Sequence, residues 1–207
     1  MTTTELRPGP RHRALIFDCD GTLADSMPVH HAAWTAAFAD RGWGGFVGYA
    51  EYLTWGGISG EDVVRRAAAA SNVDPAGYTT LEVALEKQAH YVRLAPSITR
   101  IAPVCDVLET HRGTLPVAVA TGSKRASVTQ TLTAIGLLGR YDALVSADDV
   151  ARHKPDPETF LKAAGLLGVA PEHCLAYEDA PPGLAAARAA GMDVVDVSSL
   201  TQTVRRD

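Results

Sequence analysis

No stretch of the 207-residue sequence is apolar for long enough to cross a bilayer, because its many alanines lie in segments broken by charges. A basic surface is missing too. Nineteen Lys and Arg face 24 Asp and Glu for a net charge of -5, and no Lys/Arg run stands out, which argues against nucleic acid as a partner. Cysteine is scarce. Cys19, Cys105 and Cys174 are odd in number, widely spaced and set in apolar or strand-like surroundings, so neither a disulfide framework nor a zinc site is expected. The segment Met1 to Arg13 has no apolar centre of the signal-peptide kind, and the expected location is cytoplasmic. Internal repeats and low-complexity tracts are likewise missing.

What is present is 46% hydrophobic residues, enough in a chain of this length to bury a full core, as one domain with an insertion or as two small ones. Residues 14 to 18 read as a short buried strand. From Pro28 to Arg41 the pattern turns amphipathic, with Pro28 placed for a first helical turn. A Gly- and aromatic-rich stretch follows, Gly42 through Gly60, and then two further helical segments, Glu61 to Ser71 and Thr80 to Leu94, the second capped by Thr79 or Thr80. Beyond residue 95 helices and strands alternate. Pro103 to His111, Lys124 to Ile135, Pro157 to Leu167 and Pro182 to Ala190 read as helices, with Ser123 as N-cap of the second. Pro116 to Ala120, Ala143 to Val145, Cys174 to Tyr177 and Val194 to Val197 read as strands. This order predicts an α/β fold, a parallel Rossmann-like sheet covered on both faces. Residues 1–26 and 96–207 would form the core, and 27–95 an inserted helical domain hinged at Ser26-Met27-Pro28 and Ala95-Pro96-Ser97.

Ligands of an open parallel sheet sit at the carboxyl ends of its strands. Here those ends read Asp18-Cys19-Asp20, Thr121-Gly122-Ser123, Lys154 and Glu178-Asp179. Two carboxylates one residue apart at a buried strand end call for a cation between them. A carboxylate can attack phosphorus, and Asp18 is the better fixed of the pair. Asp20, round the turn, would protonate the leaving oxygen and later take a proton from water. Glu178 and Asp179 suit a hard, oxygen-seeking cation, Mg2+, bridging Asp18 and a phosphoryl group. Thr121 and Lys154 supply a hydrogen-bond donor and a cation for the phosphoryl oxygens, aided by backbone N–H groups near Gly21-Thr22 and Gly122-Ser123. Any one of these alone would more often be a helix cap or a solvated loop residue. The ordered set is what carries the reading.

The combination Asp18-x-Asp20-Gly21-Thr22, Thr121-Gly122-Ser123, Lys154-Pro155-Asp156-Pro157-Glu158 and Glu178-Asp179 resembles the four motifs of the haloacid dehalogenase-like phosphatase superfamily, over residues 12 to 200. The helical insertion is similar in place to the cap of its beta-phosphoglucomutase-like branch. Within that branch Glu178 to Gly183 and Ala185 to Asp193 most resemble fructose-1-phosphate phosphatase-like sugar phosphatases. The resemblance implies Asp18 as nucleophile, Asp20 as acid/base and as a Mg2+ ligand through its backbone carbonyl, and Asp179 as the main distal metal carboxylate with Glu178 assisting. It also implies that His30 and Lys87 approach the substrate or Asp20, and that Gly57 and Ser59 belong to a substrate-facing cap loop. Mutases of this branch carry an arginine directly after that loop's Gly-Val-Ser. Here Gly57-Ile58-Ser59 is followed by Gly60, which favours a hydrolase, with Arg65 or Arg66 as conceivable substitutes. A mutase and a non-catalytic phosphometabolite-binding protein are the alternatives. The expected partner is a small phosphate ester, and the expected state a monomer. His31, His153 and His173 are expected to face solvent, and Trp34 and Trp55 to pack.

Overall fold

The computed structural model describes residues 6–55, 60–73 and 77–200. In chain order its elements are β1 (Ala14–Phe17), β2 (Ala24–Asp25), α1 (Met27–Asp40), α2 (Tyr49–Leu53), α3 (Gly60–Ala70), α4 (Thr80–Leu94), β3 (Thr99–Arg100), α5 (Ala102–His111), β4 (Val117–Ala120), α6 (Arg125–Ala134), β5 (Ala143–Val145), α7 (Glu158–Leu167), β6 (Cys174–Glu178), α8 (Pro181–Ala189) and β7 (Asp193–Asp196).

Five strands make one parallel sheet in the order β5-β4-β1-β6-β7, with β1 at its centre. Each central strand is buried on both faces, which is why it reads as a continuous apolar run. The alternation still sorts residues. Leu15, Phe17, Val117, Val119 and Tyr177 pack under α5 and α6, whereas Ala14, Ile16, Ala118, Ala120 and Ala176 lie under α7 and α8. The alanines on the second face let Phe160, Ala163, Ala186 and Ala187 come close to the sheet. The fold is the α/β, Rossmann-like arrangement that the alternation predicts.

Register then fixes the site. Phe17 lies opposite both Val119 and Tyr177, and its ring stacks on Tyr177 with centroids 4.5 Å apart. Asp18 and Glu178 therefore leave neighbouring strands at the same level.

Helices α1 to α4 surround their own apolar cluster, in which Trp34, Phe38, Tyr52, Trp55, Val63, Val64, Ala67 and Val83 are buried. Of the two expected caps of α4 it is Thr79 that serves, and it does so in a capping box, Thr79 Oγ1 accepting from Glu82 N at 3.2 Å while Glu82 accepts from Thr79 N at 3.0 Å. Between β1 and α1 on one side and α4 and α5 on the other, β2 and β3 pair antiparallel. Two-residue strands have no period to read, and both expected hinges adjoin this ribbon. His31 also departs from expectation: its ring sits among Phe46, Tyr49 and Tyr52 and bonds the Val47 carbonyl at 2.7 Å. No helix among the described residues is long and apolar enough to cross a membrane.

Candidate active site

The turn after β1 is closed by one carbonyl. Cys19 O accepts from the N–H groups of Thr22, Leu23 and Ala24, and Gly21 adopts φ +93° at its tip. A Cβ at Gly21 would lie 2.2 Å from Asp179 Oδ2, so glycine is required there both for the backbone conformation and for the carboxylate's space. Gly183 leaves space in the same way for Glu178, whose carboxylate would be 2.1 Å from a Cβ at that position.

Asp18 and Lys154 meet in the buried centre of the site. Lys154 Nζ donates to Asp18 Oδ1 at 2.7 Å, to Glu178 Oε2 at 2.7 Å and to the Ala120 carbonyl at 3.1 Å. All three of its protons are used. Burial disfavours the ammonium, but the two carboxylates outweigh it and raise its pKa. Glu178 turns its other oxygen back to the N–H groups of Asp179 and Ala180, at 3.2 and 3.1 Å. Thr22, expected to offer a backbone N–H to phosphate, directs its side chain to Asp179 Oδ1 at 3.0 Å.

Asp18, Glu178 and Asp179 each present an oxygen within 4.8 Å of the others. One lysine does not balance three carboxylates. Burial, and then the negative charge of Glu178, push Asp18 well above the usual carboxylate range and Asp179 to about 7. An all-oxygen donor set with surplus negative charge fits a hard divalent cation, and Mg2+ among them.

Asp20 faces the other way. Its Oδ1 accepts from Ser26 Oγ at 2.5 Å and lies 3.3 Å from His30 Nε2, while Oδ2 accepts from Ser123 Oγ at 2.5 Å. Burial alone would raise this carboxyl; the interaction with His30 and the three hydrogen bonds more than reverse it and hold it well below the usual range. Behind His30 stands Lys87, Nζ 2.8 Å from His30 Nδ1. Lys87 can only donate, so Nδ1 accepts and Nε2 carries the proton it gives to Asp20. Burial, and then Lys87, lower the pKa of His30, and burial lowers that of Lys87 to about 8.

Thr121 is buried, its Oγ1 accepting from Ser123 N at 3.1 Å. Ser123 is not the N-cap of α6. Lys124 takes that place, and Asp148 caps Arg125 N at 2.8 Å, which leaves the Ser123 hydroxyl to Asp20. Ser26 behaves alike: it stands at the N-cap of α1 yet makes no capping bond. Sequence reasoning placed Ser26 only at a hinge, and its one signal was a cap-type residue close to Asp20 in the chain. Gly57 and Ser59 lie outside the described residues. Arg65 is engaged with Glu61 and Asp62, and the Arg66 guanidinium lies 5.7 Å from the Trp55 ring centroid, both on the exposed side of α3. Gly122 shows no contact with a neighbouring element at its Cβ position, consistent with an open loop beside Thr121.

The haloacid dehalogenase-like hydrolase model matches residues 12–191. This chain belongs to that family. Fructose-1-phosphate phosphatase YqaB of Escherichia coli is 37% identical over 190 residues, 92% of this chain and 98% of that protein. Validoxylamine A 7'-phosphate phosphatase of Streptomyces hygroscopicus is 31% identical over 91% of this chain and 86% of that one. Among solved structures, CbbY from Rhodobacter sphaeroides in complex with phosphate superposes with a TM-score of 0.81 at 29% identity, covering 88% of this chain and 84% of that chain. A beta-phosphoglucomutase from Clostridium difficile shares the fold, with a TM-score of 0.76 at 23% identity over 95% and 100% of the two chains.

Proposed function

We propose that the protein is a Mg2+-dependent phosphatase that hydrolyses a small phosphorylated metabolite, a sugar phosphate, through an aspartyl phosphate on Asp18. The observation that carries this is the meeting of Asp18, Lys154, Glu178 and Asp179, from the ends of β1 and β6 and the segment after β5, beside a separately held Asp20. Relatives named as a fructose-1-phosphate phosphatase and a validoxylamine A 7'-phosphate phosphatase support the substrate class.

Asp18 Oδ attacks phosphorus, the P–O bond to the alcohol breaks, and the departing oxygen takes a proton from Asp20. Asp20 then accepts a proton from water, whose oxygen attacks the acyl phosphate, freeing phosphate and restoring Asp18. As it stands Asp20 is ionised and triply hydrogen-bonded, the form suited to the second step. For the first step it must gain a proton, which requires donors to be withdrawn. Ser123 lies next to Thr121 in the phosphoryl-binding loop, and a phosphoryl oxygen competing for its hydroxyl would do so. Asp18, Asp179 and Glu178, with the Asp20 carbonyl, would hold Mg2+, which when bound supplies positive charge to offset the repulsion between the Asp18 carboxylate and the phosphoryl oxygens. Residues 27–95 act as a cap that closes over the substrate, with Lys87 and His30 on its site-facing side and Gly56 to Gly60 contributing selectivity.

A phosphate-release screen across sugar phosphates, polyol phosphates, phosphoglycolate and nucleotides tests this, each with Mg2+, with EDTA, and with a sugar bisphosphate activator. Release from sugar phosphates that stops in EDTA and returns with Mg2+ is expected. Isomerised sugar phosphate without net phosphate release, appearing only with the activator, would identify a mutase instead.

A further inference from the structure

The pair Lys87 and His30 comes from the helical segment, and Asp20 from the sheet domain. Something must keep the two in register to within the tolerance of a hydrogen bond. Tyr91, one turn after Lys87 on α4, is fully buried and touches both members of the pair. Its ring stacks on His30 with centroids 4.2 Å apart and 28° between planes, and the Lys87 ammonium lies 4.4 Å from its centroid. Its hydroxyl lies 2.6 Å from Thr131 Oγ1 on α6, a helix of the sheet domain. Thr131 in turn donates to the Ser127 carbonyl at 3.1 Å, so its proton is used and Tyr91 is the donor of the pair. One turn earlier on each helix, Ser127 Oγ donates to Gln88 Oε1 at 2.6 Å. The ring thus touches the groups behind the acid/base, while the hydroxyl is fastened to the helix that follows Ser123.

We propose that Tyr91 is a positioning residue for catalysis, holding His30 and Lys87 in register with Asp20 through its hydrogen bond to Thr131. This rests on the reading of Asp20 as the acid/base. Neither Tyr91 nor Thr131 needs to touch substrate. Their effect is on the aim of His30 Nε2, so the loss should fall on kcat more than on KM.

The test uses the full chain. Tyr91→Phe keeps the stacked ring and removes the hydroxyl, Thr131→Val removes the acceptor without changing any contact to His30, and Thr131→Ser restores it. Tyr177→Phe is the control, since Tyr177 Oη donates to the Leu6 carbonyl at 2.5 Å, a buried bond of the same kind that contacts neither His30 nor Lys87. Tyr91→Phe and Thr131→Val should each lower kcat on the order of tenfold, with KM within about twofold of wild type. Thr131→Ser and Tyr177→Phe should retain the wild-type kcat. A kcat in Tyr91→Phe or Thr131→Val no lower than in Tyr177→Phe overturns the proposal, as does failure of Thr131→Ser to restore it. NMR of 15N-histidine-labelled protein at a fixed pH supplies a readout that does not depend on turnover. The His30 ring signals should move in Thr131→Val and not in Tyr177→Phe, and an unmoved His30 overturns the proposal. A wild-type chain that hydrolyses no ester would sink the phosphatase reading, whereas the histidine spectra still decide whether Thr131 and Tyr91 set the position of His30.

Discussion

Lys154 Nζ sits 2.7 Å from Asp18 Oδ1, so a cation from the segment between β5 and α7 is already seated on the carboxylate at the end of β1. Both side chains are more than nine-tenths buried. Replacing Lys154 by Met would leave Asp18, Glu178 and Asp179 without their internal counter-charge, and the loss of stability in EDTA should be on the order of 3 kcal/mol. Excess Mg2+ should recover part of it. Urea unfolding of wild type and variant, with and without Mg2+, measures both quantities. Equal stability in EDTA would show that the lysine is not paired as described.

Asp18→Asn removes the proposed nucleophile while keeping nearly the same shape. Because the native carboxyl is raised by burial, a neutral amide is tolerated in its place, and the variant should fold. Turnover should fall at least about a thousandfold. Circular dichroism and phosphate release together check this, and substantial residual activity in a folded variant contradicts the assignment.

Gly21→Ala tests the metal side independently of the nucleophile. The added methyl would meet Asp179 Oδ2 at 2.2 Å from a backbone already at φ +93°, so Asp179 must move. The Mg2+ concentration for half-maximal activity should rise on the order of ten- to a hundredfold, with turnover at saturating Mg2+ affected far less. An unchanged metal titration would remove Asp179 from the ligand set.

These side chains differ in how far sequence alone reveals them. Asp18, Glu178 and Asp179 were legible because strand ends are legible: a buried apolar run stops, and the next polar residue must lie at the sheet edge, whereas Lys154, well beyond the end of β5 at Val145, was legible only as a member of the ordered motif set. Ser123 was not read correctly, and the partner of Ser26 was not read at all. Ser26 stands at the N-cap of α1 and Ser123 one residue before that of α6, where local propensity predicts a bond to the adjoining helix. Tertiary structure brings the Asp20 carboxylate within 2.5 Å of both, and the charged acceptor wins. The link from Tyr91 to Thr131 spans 40 residues and two helices, and no periodicity encodes a partner at that distance. The β2–β3 ribbon escaped notice because two residues are too few to show alternation.

Lys87 gives a pH dependence with a definite sign. Its folded pKa of about 8 lies below the ordinary 10.5, the cause being burial, partly offset by Asp20. Between those two values the unfolded chain holds a proton that the folded chain has released, so folding stability rises with pH across about 8 to 10.5. Below pH 8 the ammonium's burial penalty is present in full. Lys87→Met should therefore be more stable than wild type at pH 7, by an amount on the order of 3 kcal/mol less whatever the lost bond to His30 Nδ1 contributed. That advantage should shrink steadily as pH is raised from about 8 to 10.5. Urea unfolding at stepped pH measures the difference, and a gap that stays constant over the window would mean that the lysine is not buried beside His30. The same variant should turn over substrate more slowly at every pH, because His30 loses the donor that fixes its tautomer toward Asp20. Stability gained together with activity lost is the pattern of a buried charge kept for catalysis at the expense of the fold.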